Sequence, residues 1–272
     1  AVGTAVGVTL AGLFNPIDRA LYLSVVERRA FLSPLNFGSP WEGFREAVAV
    51  RTVTGGLFFP LFEAWQAAVL LCAGEHRPLA CATVAGQLTG LTIGLLMNPI
   101  NVVKHHMWGS SDRTFGTFRS TARGLWLQDG ARAFCKGALA TALRDATFGG
   151  IYGGGRRVLA AGYSRDRSLS RPEALALDLA AGSVATALSS PLNYARNLQF
   201  ASSVPGSPAG IRRSLADLWA EALHAGRADA RGRLLGTGAH LQARMRLGWG
   251  TARVGCGMAL GQGMYDFAMG GA

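Results

Sequence analysis

Charged residues are scarce in this sequence, and acidic residues are the scarcer of the two signs. Of its 272 residues only 16% are charged, against about a quarter in a typical soluble domain. The chain holds 16 Asp+Glu against 27 Lys+Arg, which gives a formal net charge of +11. So little charge argues against an ordinary soluble domain, while the basic excess suits an anionic membrane surface or an anionic solute. The basic residues do not gather on a soluble module, so we expect no nucleic-acid partner.

Cysteines and recognisable chemical motifs are also few. The four cysteines, Cys72, Cys81, Cys135 and Cys256, show no metal-ligand spacing and lie in apolar or helix-like stretches. This pattern predicts buried, reduced thiols rather than a disulfide framework or a metal site. No nucleophile–base set, phosphate-binding loop or cofactor motif occurs, so we expect neither an enzyme nor a cofactor. We also expect no cleavable signal peptide, since the first 17 residues lack a basic segment.

Hydrophobic runs, by contrast, are abundant, and 49% of the residues are hydrophobic. A helix needs roughly 20 residues to cross about 30 Å of hydrocarbon. Six stretches satisfy this length, and the sequence therefore predicts six transmembrane helices. They run near 1–24, 44–73, 78–104, 137–156, 174–200 and 235–262. A soluble all-α bundle is the alternative, but the first stretch has no polar face before Asp18.

The connections between these stretches differ in charge. Those after the first, third and fifth stretches are long and rich in Arg and Lys, while the other two hold fewer basic residues. Basic connections tend to stay on the negative, compartment-interior side of a membrane. The charge pattern therefore predicts that both termini lie on the opposite face.

Three short proline motifs end the odd-numbered stretches. They read Asn15-Pro16-Ile17-Asp18, Asn98-Pro99-Ile100-Asn101 and Ser190-Pro191-Leu192-Asn193. A motif that recurs at roughly regular intervals along the chain indicates tandem copies of one structural unit. Because proline removes a backbone hydrogen bond and clashes with the preceding turn, each motif predicts a kink in its helix.

Further residues follow the second motif at fixed distances. Lys104 comes five residues after Pro99, Asp129-Gly130 comes thirty residues after it, and Lys136-Gly137 opens the next apolar stretch. This pattern resembles the mitochondrial carrier family, whose repeat reads Pro-x-Asp/Glu-x-x-Lys/Arg, an interfacial helix, and Asp/Glu-Gly-x-x-x-x-aromatic-Lys/Arg-Gly. The resemblance spans essentially the whole chain and is fullest in the second repeat. In the first repeat it makes Gly43 the opening residue of the even helix.

The resemblance implies an all-α membrane protein with six transmembrane helices in three pseudo-threefold repeats and short matrix-side interfacial helices. The repeats cover 1–75, 76–168 and 169–272 of a single carrier domain. It also implies a multi-pass protein of the mitochondrial inner membrane, with both termini toward the intermembrane space. The function it implies is alternating-access transport, by exchange or uniport.

In that family, an acid of one repeat pairs with a base of the next to close the matrix side. The acid positions hold Asp18, Asn101 and Asn193, and the base positions hold Leu21, Lys104 and Arg196. Only Asp18 and Lys104 make a full ionic pair, whereas Asn101 can at most hydrogen-bond Arg196. We therefore expect a closed state that is less stable than usual or is held by something else.

In that family a second gate lies near the ends of the even helices, and here it is also incomplete. Glu63 of the second helix has Gln66 in place of its basic partner. The acid position of the fourth helix lies in the cationic pair Arg156-Arg157. These positions are either free to drift or part of a protein that no longer transports. The second interpretation is an accessory subunit of a larger inner-membrane assembly, such as a respiratory complex.

Charged residues inside membrane helices are costly and commonly functional. Arg51 lies eight residues after Gly43, and Arg144 and Asp145 lie seven and eight residues after Gly137. Arg246 comes eight residues after Gly238, with Arg244 nearby, while Arg253 shows no ligand-like spacing. The alignment of the last stretch leaves open which of these three arginines lies at the contact level.

By resemblance, these charges lie at the solute-contact depth. Arg suits a carboxylate and Asp an ammonium, so we expect a small anionic or zwitterionic metabolite. The alternative is that Arg144 and Asp145 pair with neighbouring helices and bind no solute.

The resemblance also implies bound lipid. Free N–H groups and the helix dipole favour an anion where an even helix begins. We expect cardiolipin at Lys136 and Gly137, and also at Gly43, where Glu42 replaces the basic residue.

Overall fold

The computed structural model describes residues 2–73, 78–109, 117–163, 170–202, 210–230 and 232–270, and every regular element in these ranges is helical. The six longest helices are α1 (Val2–Val26), α2 (Phe44–Ala73), α3 (Pro78–Gly109), α5 (Ala138–Tyr163), α6 (Arg171–Ala201) and α9 (Leu247–Gly270). Between them lie α4 (Phe118–Asp129), α7 (Ile211–Ala228) and α8 (Arg233–Met245), with 3-10 turns at Pro34–Phe37 and Gly130–Cys135. Within the described ranges, three segments are long and apolar enough to cross a membrane: Phe44–Cys72, Leu79–Gly109 and Pro172–Ala201.

The six long helices form a closed ring. Each packs on the next in the order α1, α2, α3, α5, α6 and α9, and α9 packs back on α1. Pro16, Pro99 and Pro191 lie inside α1, α3 and α6, the first helices of the three pairs. Helices with one of these three proline motifs, which we call the proline-bearing helices, therefore alternate around the ring with helices that lack the motif. The proline of α2, Pro60, belongs to no such motif.

Small residues set the closest helix contact in the ring, between α3 and α5. A Cβ added to Gly86 would lie 2.5 Å from the Gly149 carbonyl oxygen, and one added to Gly150 would lie 2.5 Å from Cγ of Gln87. Backbones approach this closely only where side chains are missing, as at the small-residue interfaces of membrane helices.

We call the end of the bundle where α1, α3 and α6 finish and α2, α5 and α9 begin the basic end. The main apolar cluster lies there and joins the ends of the three proline-bearing helices to α4. Its buried members are Tyr22, Leu23, Val102, Val103, Met107, Trp108, Leu125, Ala133 and Phe200. The core is thus concentrated at the basic end, where the chain makes its long connections.

An asparagine before the proline fastens the connection in two of the three repeats. Asn98 donates from Nδ2 to the carbonyls of Phe134, at 2.8 Å, and Lys136, at 3.1 Å. Asn15 makes the equivalent bonds to Pro40 and Glu42 at 2.9 and 3.3 Å. Ser190 is too short for this, and its hydroxyl donates to the Thr186 carbonyl within α6. The third repeat therefore lacks this fastening.

A left-handed residue precedes the even helix in every repeat. Gly43 has φ +67° and Gly137 has φ +68°, and the third position is Arg246 with φ +56°. Glycine adopts this conformation readily, whereas a residue with a Cβ does so at a cost. The two glycines also face neighbouring aromatic rings, since an added Cβ would lie 2.6 Å from Trp108 Nε1 and 2.8 Å from Phe200 Cε1.

The boundaries of the last predicted stretch, 235–262, are wrong. Residues 233–245 form α8, and α9 starts only at Leu247, after the left-handed turn at Arg246. Hydropathy misses this break because apolar and small residues continue on both sides of it. The first connection differs too, since it has the 3-10 turn Pro34–Phe37 in place of an interfacial α-helix.

Candidate functional site

Asp18, two residues after Pro16, is held by arginines from both neighbouring helices. Arg253 of α9 places Nε 2.5 Å from Oδ1 and Nη2 2.6 Å from Oδ2 of the carboxylate. Arg51 of α2 places Nη2 2.6 Å from Oδ2. Hydrogen bonds between a guanidinium and a carboxylate are charge-assisted and therefore strong. Asp18 thus links α1 to α2 and α9 by charge.

The expected placement of Arg246 at the depth of Arg51 and Asp145 needs correction. Arg246 occupies the position of Gly43 and Gly137 at the start of the even helix. Counting from it, Arg253 is the seventh residue, as Arg144 is the seventh after Gly137. Gly238, from which the spacing to Arg246 is eight residues, lies inside α8 and does not open α9. The shared seven-residue offset is the signal that would have found Arg253.

Arg144 and Asp145 form an ion pair with each other across adjacent positions of α5. Adjacent residues point about 100° apart on a helix, yet the long Arg side chain bridges that angle. The Arg144 guanidinium also lies 5.5 Å from the centroid of the Phe148 ring, one turn further along α5. Both members of the pair are about one-fifth exposed, at 23% and 20%. Within the described ranges, neither forms an ion pair with a neighbouring helix.

Charges from all six long helices act on one another in this region. Asp18 interacts electrostatically with Arg51, Lys104 and Arg144. Arg196 interacts in the same way with Arg144, Asp145 and Asp18. The seven groups of this ring cluster are Asp18 on α1, Arg51 on α2, Lys104 on α3, Arg144 and Asp145 on α5, Arg196 on α6 and Arg253 on α9. Groups from every helix of a closed ring can converge only inside it. Five cations against two carboxylates leave that interior positively charged.

The expected gate pair between Asp18 and Lys104 is not formed in this structure. Arg51 and Arg253 already occupy both oxygens of the Asp18 carboxylate. In the described part of the chain, no carboxylate lies within 4.0 Å of the Lys104 amine, which sits 4.7 Å from the centroid of the Trp108 ring. Lys104 therefore has no carboxylate partner among the described residues.

Arg196 has a similar environment and does not bond to Asn101 as expected. Its guanidinium lies 5.6 Å from the centroid of the Phe200 ring and donates weakly, at 3.5 Å, to Asn197 Oδ1. Among the described residues, the Asn101 and Asn193 side chains have no hydrogen-bond partner. Asn101 is engaged through its backbone carbonyl, which lies 2.7 Å from Nδ1 of His105.

The lipid-binding residues expected at the basic end lie at two helix starts. Lys136 is buried and pairs with Asp129 at 2.7 Å, so its charge is already neutralised within the protein. Gly137 and Gly43 directly precede the first residues of α5 and α2 and hold the left-handed turns described above.

A second buried charge, Asp178, was not singled out from the sequence. It is fully buried on α6, receives the Tyr152 hydroxyl at 3.1 Å and pairs with Arg156 Nε of α5 at 2.6 Å. The signal was an acid inside an apolar stretch. Arg156 lies where the family's second gate would have an acid, and in this structure it has a partner on the neighbouring helix.

Residues 75–165 match the family model described as mitochondrial carrier protein. This segment, about a third of the chain, is thus similar to mitochondrial carrier proteins.

Curated relatives with partial similarity to this chain include named mitochondrial transporters. The chain is 38% identical over 69 residues to a mitochondrial glycine transporter of Eremothecium gossypii, covering 25% of this chain and 23% of the relative. It is 31% identical over 99 residues to mitochondrial glutamate carrier 1 of Rattus norvegicus, covering 35% and 31%. It is 29% identical over 135 residues to a mitochondrial glycine transporter of Mus musculus, covering 49% and 38%. These matches thus span between 23% and 38% of the relatives' own length.

Proposed function

We propose that this protein is a solute carrier of the mitochondrial inner membrane that moves a small carboxylate-bearing metabolite, anionic or zwitterionic, by alternating access. The observation that carries the proposal is the ring cluster, in which charges from all six long helices meet inside the ring. Buried charges of this kind are costly in a membrane unless they serve a solute or each other. The names of the relatives, which are transporters of glycine and glutamate, support a metabolite of this size and charge.

Two groups of the ring cluster are suited to a carboxylate. Lys104 and Arg196 are the cations that, in the described residues, have aromatic contacts in place of a carboxylate partner. Asp145, whose partner Arg144 is its own neighbour, is suited to an ammonium group. In this proposal a solute carboxylate binds Lys104 and Arg196, while Asp18 with its two arginines holds α1, α2 and α9 together.

The topology proposed with this function has six transmembrane helices, α1, α2, α3, α5, α6 and α9, in three repeats. The basic end faces the matrix and both termini face the intermembrane space, in line with the charge rule. Cardiolipin is the lipid proposed at the starts of α2 and α5, where the first N–H groups of each helix are free for an anion.

Uptake by the purified chain in proteoliposomes tests the function. Wild type should take up at least one radiolabelled amino or carboxylic acid, tested first with glycine and glutamate. Arg196→Gln should lower the uptake by at least about tenfold, the effect of losing one charge-assisted bond. Arg119→Gln, an exposed arginine of α4, is the matched control and should transport like wild type.

Absence of uptake across a broad metabolite panel would refute the transport proposal. If the protein also co-purifies in fixed ratio with a large inner-membrane complex, the accessory-subunit interpretation takes its place. Unchanged uptake by Arg196→Gln would refute the assigned carboxylate contact while leaving transport intact.

A further inference from the structure

The third repeat carries an extra helix at the basic end. The chain runs 55 residues from Pro191 to Arg246, but only 38 from Pro99 to Gly137 and 27 from Pro16 to Gly43. The added length forms α8, which folds back on α7 with Gly226 against Thr237 and Gly236 against Asp229. In the described residues of the first two repeats, no α-helix corresponds to α8.

The basic end lacks an ionic gate between the third and first repeats. Asn193 of α6 and Leu21 of α1 hold the acid and base positions between the third and first repeats, and neither is charged. Whatever holds α1 against the third repeat at the basic end must therefore come from other residues.

Arg246 supplies one such contact, because its side chain reaches from the start of α9 to the end of α1. Its Nε donates to Ser24 Oγ at 3.0 Å, and its Nη2 donates to the Ser24 carbonyl at 3.0 Å and also to the Arg29 carbonyl. The last carbonyls of a helix lack intrahelical partners and carry partial negative charge, so a cation there stabilises the helix end. Burial and the nearby cation Arg244 lower the pKa of Arg246 from its ordinary value.

Glu221 of α7 makes a second contact across the same gap. It pairs with Arg28, just after α1, at 3.1 Å, and with Arg244 of α8 at 3.6 Å. Arg244 also donates to the Tyr194 hydroxyl of α6 at 3.2 Å. One carboxylate thus connects the end of α1 to the inserted helix.

Apolar packing completes this contact. Val25 of α1, Tyr194 of α6 and Leu218 of α7 form a buried cluster, and Leu241 and Met245 of α8 pack against it. Helix α8 therefore lies against the ends of α1 and α6 and covers the junction between them.

We propose that α8 and Arg246 form a lock that holds the basic end closed between α1 and α6, in place of the missing ionic gate. The lock rests on the proposed function, because its release would let the solute leave toward the matrix. When α1 moves away from α6, the bonds from Arg246 to Ser24 and Arg29 and the pair between Arg28 and Glu221 break together.

Backbone geometry supports a lock that can release. In the described chain, the residues other than glycine with positive φ are Arg28, at 54°, and Arg246, at 56°. They lie on the two sides of this junction, and such strained residues persist only where surrounding contacts hold them. Parting the junction relieves that strain, and this relief offsets part of the free energy that breaking the bonds costs.

Hydrogen–deuterium exchange on the full chain in lipid nanodiscs tests the lock without any solute. Arg246→Gly removes the side chain but keeps a residue that favours the left-handed conformation. Amides of residues 24–30 should exchange about tenfold faster or more, because the variant cannot make the charge-assisted bonds. Arg246→Lys keeps the charge but lacks the planar guanidinium, so its exchange rate at these amides should lie between those of wild type and Arg246→Gly.

A second measurement reports whether the basic end opens. Leu21→Cys is introduced into a chain whose native cysteines are replaced by serine, and its labelling rate with a water-soluble maleimide is measured. Addition of Arg246→Gly should raise this rate several-fold. Arg123→Gln, at an exposed arginine of α4 on the same end, is the control and should change neither measurement.

The thermal midpoint separates a lock from a general structural role. Arg246→Gly should leave the midpoint unchanged or raise it, because glycine relieves the strained φ. A lowered midpoint with faster exchange throughout the chain, or unchanged exchange and labelling, would overturn the lock. If wild type shows no uptake, the transport proposal fails, while these exchange and labelling data still decide whether the junction is held by Arg246.

Discussion

At the level of single residues, the main difference between expectation and structure concerns two arginines. Spacing along the chain predicts that Arg246 lies at the depth of Arg51 and Asp145, whereas in the structure Arg253 is the arginine of α9 that binds Asp18. The error arose because one left-handed residue divides α8 from α9. Such a turn is readable from sequence when glycine marks it, as at Gly43 and Gly137, but not when arginine does.

Glycine at the helix entries is needed for both its conformation and its size. We expect Gly43→Ala and Gly137→Ala each to destabilise the protein by at least about 1–2 kcal/mol, the cost of a left-handed residue with a Cβ. Contact of that Cβ with Trp108 or Phe200 adds to the loss. The measurement is thermal unfolding in detergent, followed by tryptophan fluorescence.

Gly56→Ala is the matched control for both variants. Gly56 lies inside α2, has no atom within 4 Å of an added Cβ and has no positive φ. The control should be neutral or stabilising by up to about 1 kcal/mol, since alanine favours helix. Equal stability of all three variants would show that glycine is not required at the left-handed positions 43 and 137.

At the level of elements, the helices themselves follow from apolar runs, while their connections follow from particular polar contacts. In the sequence, Pro16 and Pro99 mark kinks, but no local pattern assigns a role to the asparagines before them. In the structure these asparagines bind the carbonyls that lead into α2 and α5. Side-chain to backbone bonds over 25 to 38 residues cannot be read from local propensity.

The two asparagines should differ in their contribution to stability. Asn98→Ala should cost about 1–3 kcal/mol, because it leaves the Phe134 and Lys136 carbonyls and the Thr141 hydroxyl without their shared partner. Asn15→Ala should cost less, because the Oδ1 atom of Asn15 is buried without a hydrogen bond.

Thermal midpoints of the two asparagine variants, measured side by side in one detergent, check this order. A larger loss for Asn15→Ala than for Asn98→Ala would contradict it. Ser190→Ala is the third-repeat control, and it should have the smallest effect because that hydroxyl bonds only within α6.

For the whole molecule, the native cysteines give a test of the proposed topology. The expectation that they are buried holds for Cys81 and is wrong for Cys72, Cys135 and Cys256, which are exposed and free. Cys72 lies in the last turn of α2, at the far end, while Cys135 lies just before α5, at the basic end.

Single-cysteine variants that retain either Cys72 or Cys135 should therefore label from opposite sides. In mitochondria without outer membrane, an impermeant maleimide should reach Cys72 and leave Cys135 unlabelled until the inner membrane is opened. Labelling of both before opening, or the reverse order, would contradict a matrix-facing basic end. The chain without native cysteines is the background control.

The sequence by itself determined the class of this protein: helical, apolar, basic and built on three proline motifs. Composition, apolar runs and the recurring proline motif suffice for that, since each can be read along the chain without knowing which residues meet in space. Only the tertiary structure decided which charges meet. Asp18 binds Arg253, 235 residues away, and Arg246 reaches Ser24 across 222 residues. Such pairings depend on ring closure between α9 and α1, which places residues from opposite ends of the chain within bonding distance and has no local signal.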